Sequence, residues 1–209
     1  MTLHAGSPPD RARAALVLVH GRGARADDML ALADALELPA DWAITAPQAP
    51  GSGPDGGAWY PARFTEPLFE NEPHLTRALS VLGAEVDALV AEGVPAARVV
   101  LGGFSQGACL ALEYAARHPR RFGGLLGFSG GLIGPEGTRW GVGPGRLDGT
   151  PAFLGCADAD PHIPLVRVEE TARVLERLGA AVTARLYRGA AHAINADEID
   201  HARGLLASV

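Results

Sequence analysis

The sequence predicts an α/β fold with a mostly parallel central sheet and helices on both of its faces. Short apolar runs alternate along the chain with longer segments whose apolar residues recur at helical spacing, the pattern of a sheet built from strand–helix–strand units. Segments rich in Pro and Gly interrupt that alternation. The length of 209 residues fits one domain with a substantial core, so we expect residues 1–209 to form a single domain.

The first half of the chain contains two predicted strands, two predicted helices and a long connection. The strands are short apolar runs, and the helices place their apolar residues on one face. In chain order these elements are a strand at Ala14–His20, a helix at Asp27–Glu37, a strand at Trp42–Ala46, a long ordered loop or cap at Pro47–Pro73 and a helix at His74–Glu92. Before them, Thr2–Pro9 has no pattern strong enough to assign a strand.

The second half repeats the alternation with shorter elements. They are a strand at Arg98–Gly102, a helix at Gln106–Arg117, a strand at Gly124–Ser129, a Gly/Pro-rich loop at Gly131–Thr150, a strand at Pro151–Gly155, a helix at Leu165–Leu178, a strand at Val182–Tyr187 and a closing helix at Asp197–Ala207. Only two long connections interrupt these units, so we expect a minimal cap over the sheet.

Composition excludes several classes of protein. A net charge of −6 argues against a dedicated nucleic-acid binder. No apolar run reaches the roughly 18–20 residues that cross a bilayer, and Met1 to Arg13 contains no apolar segment of a signal peptide. Cys109 and Cys156 are not in a metal-ligand spacing, so we expect two free thiols in a reducing cytoplasm and no metal site.

A candidate nucleophile lies in the segment Gly103–Gly107, which matches G-x-S-x-G around Ser105. With 27 glycines in the chain, that pattern alone is weak evidence. Its context is specific, because the motif follows an apolar strand and opens a helix, as the nucleophile turn of α/β-hydrolases requires. The two glycines let strand and helix approach closely, and the helix N-terminus stabilises negative charge near the hydroxyl.

The candidate base is His192, one of seven histidines. It follows the last predicted strand through a short turn, which fits the Ser–acid–His chain order of α/β-hydrolases. The acid is expected after the strand at Pro151–Gly155, where Asp158 and Asp160 are both candidates. The acid's role is to accept the Nδ1–H of the histidine and stabilise the imidazolium, and local chemistry does not separate the two aspartates.

The oxyanion hole and the pocket are predicted from loops. The segment His20–Gly23 follows the first predicted strand, so we assign the main-chain N–H groups of Arg22 and Gln106 to the oxyanion hole. Aromatic residues cluster in the first long loop. The residues predicted to line a substrate pocket are Trp59, Tyr60, Phe64 and Gly131; for the aromatic ones, packing as loop anchors on the sheet is an equally good interpretation.

These segments resemble the phospholipase/carboxylesterase family, the compact α/β-hydrolases that include acyl-protein thioesterases. The resemblance rests on HGRGA at 20–24, GFSQGA at 103–108, FSGG at 128–131, DPHIP at 160–164 and GAAH at 189–192, in the family's order over nearly the whole chain. The family's D-P-x-V-P motif matches DPHIP without a gap, so the resemblance favours Asp160 over Asp158 as the acid. It also implies an enzyme without metal or organic cofactor and, by analogy with the family, a homodimer.

Three departures from the thioesterase pattern bear on the substrate. Arg22 replaces a residue that is usually apolar, and Ala191 replaces a common Gly. The stretch WYPARF at 59–64 is similar to the bacterial esterase branch. The resemblance therefore implies a cytoplasmic carboxylesterase that acts on a small ester with a short-to-medium acyl group, rather than on acylated proteins.

Two alternatives stay open. A lysophospholipase or acyl-thioesterase would act on longer acyl chains and would need a long apolar groove. A non-catalytic ligand-binding protein of the same fold would usually have lost a member of the triad, whereas this chain has candidates for all three in the expected order.

Overall fold

The computed structural model describes residues 1–50, 57–140 and 145–209. Its strands within these ranges form one seven-stranded sheet, which confirms the predicted α/β class. The strands are β1 (Thr2–Gly6), β2 (Ala14–Val19), β3 (Trp42–Pro47), β4 (Val99–Phe104), β5 (Gly124–Phe128), β6 (Pro151–Ala157) and β7 (Ala181–Tyr187). Residues 51–56 and 141–144, which belong to the two predicted long loops, lie outside the described residues.

The direction in which successive strands are added to the sheet reverses next to β2. The order is β1-β3-β2-β4-β5-β6-β7, with β1 antiparallel to β3 and the other pairs parallel. The chain first moves from β2 to β3 on one side and then continues at β4 on the other. In open parallel sheets, such a reversal leaves a crevice at the carboxyl ends of the strands, which is where ligands bind. The loops after β2 and β4 border that crevice.

Helices cover both faces of the sheet, as predicted. They are α1 (Ala26–Ala35), α2 (His74–Ala91), α3 (Gln106–Arg117), α4 (Leu165–Arg177) and α5 (Ala196–Leu206). The helices pack in two hydrophobic clusters, one on each face of the sheet. One cluster includes buried residues of α2, α3 and α4, and the other includes residues of α1 and α5.

The strand β2 shows why its sequence is apolar without alternation. All six of its residues are buried. Ala15 and Val17 pack in the cluster beneath α2 and α3, whereas Leu16 and Leu18 pack in the cluster on the opposite face. Successive side chains of a strand point to opposite faces, so a strand covered on both faces is apolar throughout.

One strand was not predicted. Thr2–Gly6 pairs antiparallel with β3 at the edge of the sheet, and its residues are exposed or half-buried. A short edge strand with a solvent-facing side lacks the continuous apolar run that identifies β2. Its pairing partner is β3, with Leu3 opposite Ala46 and Gly6 opposite Ala43, and this distant segment supplies the order that the local sequence does not.

Candidate active site

Ser105 lies at the tight turn between β4 and α3. Its backbone has φ 55° and ψ −121°, a left-handed conformation that side chains rarely adopt. Gly103 and Gly107, on either side of Ser105 in the motif, have no room for a side chain. A Cβ at Gly103 would lie 2.5 Å from the Val19 carbonyl oxygen, and one at Gly107 only 2.0 Å from it. The turn therefore depends on both glycines, and it presents the Ser105 hydroxyl at the carboxyl edge of the sheet.

Gly107→Ala is expected to lower the free energy of unfolding by about 3 kcal/mol or more, because its methyl group would overlap the backbone of β2. Gly204→Ala is the matched control, since Gly204 is exposed in the interior of α5 and a Cβ there would meet no atom within 4 Å. That control is expected to be neutral or to stabilise by up to about 1 kcal/mol. Urea unfolding of both variants measures the difference; equal stabilities would contradict the tight packing of this turn.

Ser105, His192 and Asp160 form a chain of hydrogen bonds. The Ser105 Oγ lies 2.8 Å from His192 Nε2, and His192 Nδ1 lies 2.7 Å from Asp160 Oδ2. An imidazole with its proton on Nδ1 satisfies both contacts, donating to the carboxylate and accepting from the hydroxyl. The geometry thus couples a hydroxyl, a base and a carboxylate that come from three separate loops.

The carboxylate of Asp160 is held by several donors in a buried position. Its side chain has no exposed surface, and its Oδ1 accepts the main-chain N–H groups of His162 at 2.8 Å and Ile163 at 3.1 Å. Burial raises the pKa of Asp160, but the hydrogen bond from His192, the two N–H donors and the charge of His192 outweigh it and leave that pKa below its ordinary value. The group is therefore held as an anion facing His192.

Asp158 has a different contact. It is exposed, and its Oδ1 accepts the Gly189 N–H at 3.0 Å, while the Ala159 N–H donates to the Gly189 carbonyl at 3.0 Å. These bonds link the loop after β6 to the loop that contains His192. Of the two aspartates that the sequence left as alternatives, Asp160 contacts His192 and Asp158 orders the neighbouring turn.

The His192 ring is also packed between two other rings. Its centroid lies 4.8 Å from that of Phe104 and 4.8 Å from that of His162, the latter with edge-to-face geometry. These contacts restrict the orientation of the imidazole, because aromatic pairs at this separation are attractive in tilted arrangements.

Two main-chain N–H groups beside Ser105 have no acceptor among the described residues: those of Arg22 and Gln106. Gln106 is the first residue of α3, where the helix leaves its N–H groups unpaired. Arg22 follows Gly21, which packs so closely that a Cβ there would lie 3.4 Å from the Ser105 Cβ. Gln106 directly follows Ser105, and Arg22 directly follows a residue packed against Ser105, so both unpaired N–H groups belong to segments that adjoin the nucleophile turn.

The side chains of these two residues have a role that the sequence did not indicate. The Gln106 Oε1 accepts the main-chain N–H of Trp59 at 2.8 Å, and the Gln106 Nε2 donates to the Tyr60 carbonyl at 2.9 Å. Arg22 donates through one Nη to the carbonyls of Tyr60 and Ala62, at 2.9 and 2.8 Å. They hold the first long loop over the site.

A cavity of about 250 Å³ opens at Ser105. Tyr60 and Phe64, two of the predicted pocket residues, line it together with Arg22, Arg63, Ser105, Gln106, Cys109, His162, Ile163 and His192. The sequence-based list omitted Arg63, although it belongs to the WYPARF stretch, and it omitted Cys109, His162 and Ile163. The last two are part of DPHIP, so their proximity to the predicted acid is a signal that could have identified them.

Two of the predicted pocket residues do not line this cavity, which corrects that part of the prediction. Trp59 is buried behind the loop, where its indole N–H donates to the His20 carbonyl at 2.9 Å. Gly131 lies deeper: its N–H points to the Cys109 sulfur at 3.4 Å, and a Cβ there would lie 2.9 Å from Thr171 Oγ1. Both residues support the wall of the cavity from behind instead of facing it.

Neither a metal-binding cluster nor a membrane-spanning helix is present in the part of the chain that the structure describes. Within residues 1–50, 57–140 and 145–209, no cluster of three or more His, Cys, Asp or Glu side chains is arranged to hold a metal ion. No helix in the same ranges has the length and apolarity needed to cross a bilayer.

Cys109 and Cys156 are buried free thiols, and burial raises the pKa of each to about 12.

Comparison with known proteins finds relatives that match most of this chain. A phospholipase/carboxylesterase from Dyadobacter fermentans is 40% identical, with a TM-score of 0.91 over 99% of this chain and 95% of that one. Acyl-protein thioesterase 1 of Kluyveromyces lactis is 26% identical over 201 residues, covering 90% of this chain and 88% of that protein.

Acyl-protein thioesterase 1 of Schizosaccharomyces pombe is 30% identical over 143 residues, covering 67% of this chain and 63% of that protein, so the match spans less than two thirds of the relative. The model of the phospholipase/carboxylesterase family matches residues 4–209, nearly the whole chain. The chain therefore belongs to the phospholipase/carboxylesterase family of α/β-hydrolases and is a serine hydrolase.

Proposed function

We propose that this serine hydrolase cleaves small carboxylic esters with short-to-medium acyl groups. In this proposal Ser105 is the nucleophile, His192 the general base and Asp160 the acid. The observation that supports it most directly is the pair of hydrogen bonds at His192, 2.8 Å to the Ser105 Oγ and 2.7 Å to Asp160. Nucleophile, base and orienting carboxylate in such contact are the arrangement that acyl transfer requires.

In the first half of the reaction, the Ser105 oxygen attacks the ester carbonyl while His192 Nε2 takes its proton. The negative charge that develops on the carbonyl oxygen is stabilised by the main-chain N–H groups of Arg22 and Gln106. Asp160, held as an anion, stabilises the imidazolium. His192 then protonates the departing alkoxide, and the alcohol leaves an acyl group on Ser105.

In the second half, water attacks the acyl-enzyme. His192 takes a proton from that water, and the same two N–H groups hold the second oxyanion. Collapse of the intermediate breaks the bond to Ser105, which regains its proton from His192. The carboxylic acid product leaves and the hydrogen-bonded chain is restored.

The size of the cavity favours short acyl groups over long ones. It measures about 250 Å³, below the roughly 300–1,000 Å³ typical of sites for drug-sized ligands. Tyr60 and Cys109, both buried, close it on the side of the core. The names of the thioesterase relatives point to an acyl-thioester alternative, whereas the Dyadobacter relative is a phospholipase/carboxylesterase.

An acyl chain-length series tests this proposal. With 4-nitrophenyl esters, kcat/KM is expected to be highest at about four to six acyl carbons, because a longer chain would extend beyond the cavity. A butyryl thioester compared with the butyryl oxygen ester separates the two chemistries at constant acyl group. An optimum at roughly twelve carbons, or turnover of the thioester alone, would favour the long-chain thioesterase alternative and overturn this assignment.

Labelling by a fluorophosphonate tests whether the site is reactive at all. The probe phosphonylates a serine whose hydroxyl is activated by a base, so we expect one label, mapped by mass spectrometry to Ser105. A protein that only binds ligands would leave Ser105 unmodified.

A further inference from the structure

Among the described residues that line the catalytic cavity, the ionisable side chains that can carry a positive charge are Arg and His, and none is Asp or Glu. Arg22 and Arg63 line it, together with His162 and the base His192, and no Asp or Glu is among its described lining residues. Asp160 lies behind His192 with no exposed side-chain surface. From the part of the chain that the structure describes, a ligand in the cavity would therefore meet two permanent positive charges and no uncompensated carboxylate.

The guanidinium groups of both arginines have unused donors. Arg63 is exposed, and among the described residues its side chain forms no hydrogen bond or ion pair, although Glu66 and Glu70 follow it closely in the chain. Within the described ranges, Arg22 donates through one Nη, to two carbonyls that do not neutralise its charge. Each guanidinium thus retains N–H groups that a planar oxyanion can accept in pairs.

The positive charge of Arg22 and Arg63 at the cavity contrasts with the net negative charge of the whole chain. The chain has a net charge of −6, so its overall field repels anions. Deeper in the same cavity, Phe64, Cys109 and Ile163 are buried and apolar. The cavity thus combines an apolar interior with a cationic entrance, a distribution that complements a substrate with one apolar part and one negatively charged part.

We propose that the natural ester carries a negatively charged group, such as a carboxylate, which Arg63 binds with Arg22 at the entrance of the cavity. The inference rests on the proposed esterase function and narrows its substrate class. The charged group does not take part in bond making or breaking. Its contact with Arg63 is made in the substrate and in the transition state alike, so it acts mainly on KM.

Two isosteric pairs of esters test the preference. The first places the charge on the acyl side: the 4-nitrophenyl monoester of adipic acid against its neutral carboxamide analogue. The second places it on the alcohol side: 4-carboxyphenyl butanoate against 4-carbamoylphenyl butanoate. Within a pair, size and reacting bond are alike and only the charge differs. Hydrolysis without enzyme is subtracted.

The wild-type enzyme is expected to prefer the carboxylate in at least one pair by about tenfold in kcat/KM, as for one charge-assisted hydrogen-bonded contact. Arg63→Gln keeps the length of the side chain and removes the charge, and it is expected to abolish most of that preference through KM. Arg177→Gln is the matched control: Arg177 is exposed at the C-terminal end of α4, outside the cavity, and its loss should leave the preference unchanged. Raising the salt concentration should weaken the preference.

Two results would overturn the inference: a wild-type enzyme that does not prefer the carboxylate in either pair, or a preference that Arg63→Gln leaves intact. Both leave the esterase function standing if the neutral esters are hydrolysed and Ser105 is labelled. Absence of turnover of all four esters together with absence of labelling would instead refute the esterase function, and the substrate inference with it. Thermal melting of Arg63→Gln verifies that the variant is folded.

Discussion

Ser105→Ala is expected to lower kcat for a short-chain ester by about 10⁶-fold, because removing the nucleophile leaves no atom to form the acyl-enzyme. The residual rate should come from binding and from the oxyanion-hole donors, which the substitution does not remove. The change is small in volume at a half-buried position, so the melting temperature should stay close to that of the wild-type protein. Stopped assays on 4-nitrophenyl butanoate, with fluorophosphonate labelling of the same samples, measure the effect.

Ser80→Ala is the matched control for that experiment. Ser80 lies on α2, where its hydroxyl donates to the Thr76 carbonyl at 2.9 Å on the exposed face, and it does not line the catalytic cavity. It should keep wild-type activity and labelling. A folded Ser105→Ala protein that retains more than about a tenth of the wild-type kcat would show that another group is the nucleophile.

Asp160→Asn is expected to lower kcat by about 10⁴-fold while leaving the protein folded. The amide keeps an oxygen for the His162 and Ile163 N–H groups but has no negative charge. An amide NH₂ turned toward His192 would favour the tautomer with its proton on Nε2, which cannot accept the Ser105 proton. The low pKa of Asp160 means that the wild-type group is charged at neutral pH, so the variant removes a charge that is present.

Asp158→Asn makes the same chemical change two residues away. Its contact is the Gly189 N–H, which the Asn carbonyl oxygen can also accept, so kcat should fall by no more than about threefold. Measuring both variants at neutral pH decides between the aspartates. A larger loss in Asp158→Asn than in Asp160→Asn would overturn the assignment of the acid.

Much of the fold was predictable because its signals are local. The bounds predicted for α3, Gln106–Arg117, match the structure, since the apolar pattern, the preceding G-x-S-x-G turn and the following His118-Pro119 all lie within one short segment. The strand β2 was predicted for the same reason: burial on both faces makes its whole sequence apolar. The edge strand Thr2–Gly6 was missed because its order comes from β3.

The pocket was predicted less well than the strands and helices. The aromatic cluster at 59–64 indicated a functional loop, but residue type alone does not determine which side of a loop a ring faces. Tyr60 and Phe64 face the cavity, whereas Trp59 is turned away by the hydrogen bond of its indole N–H to the His20 carbonyl. The sequence alone gives no signal for Arg63, because an exposed arginine in a loop is common and its place beside the cavity depends on the fold.

By itself, the sequence determined the strand–helix alternation, the glycine-flanked turn at Ser105 and the set of candidate groups, because each depends on residues within a few positions of one another. Only the tertiary structure decided which groups meet. Ser105 and His192 are 87 residues apart, and His192 and Asp160 are 32 apart. Parallel strands bring their carboxyl ends to one edge of the sheet, and the register of that sheet, together with the exit direction of each loop, selects Asp160 for the imidazole and leaves Asp158 to the turn beside it.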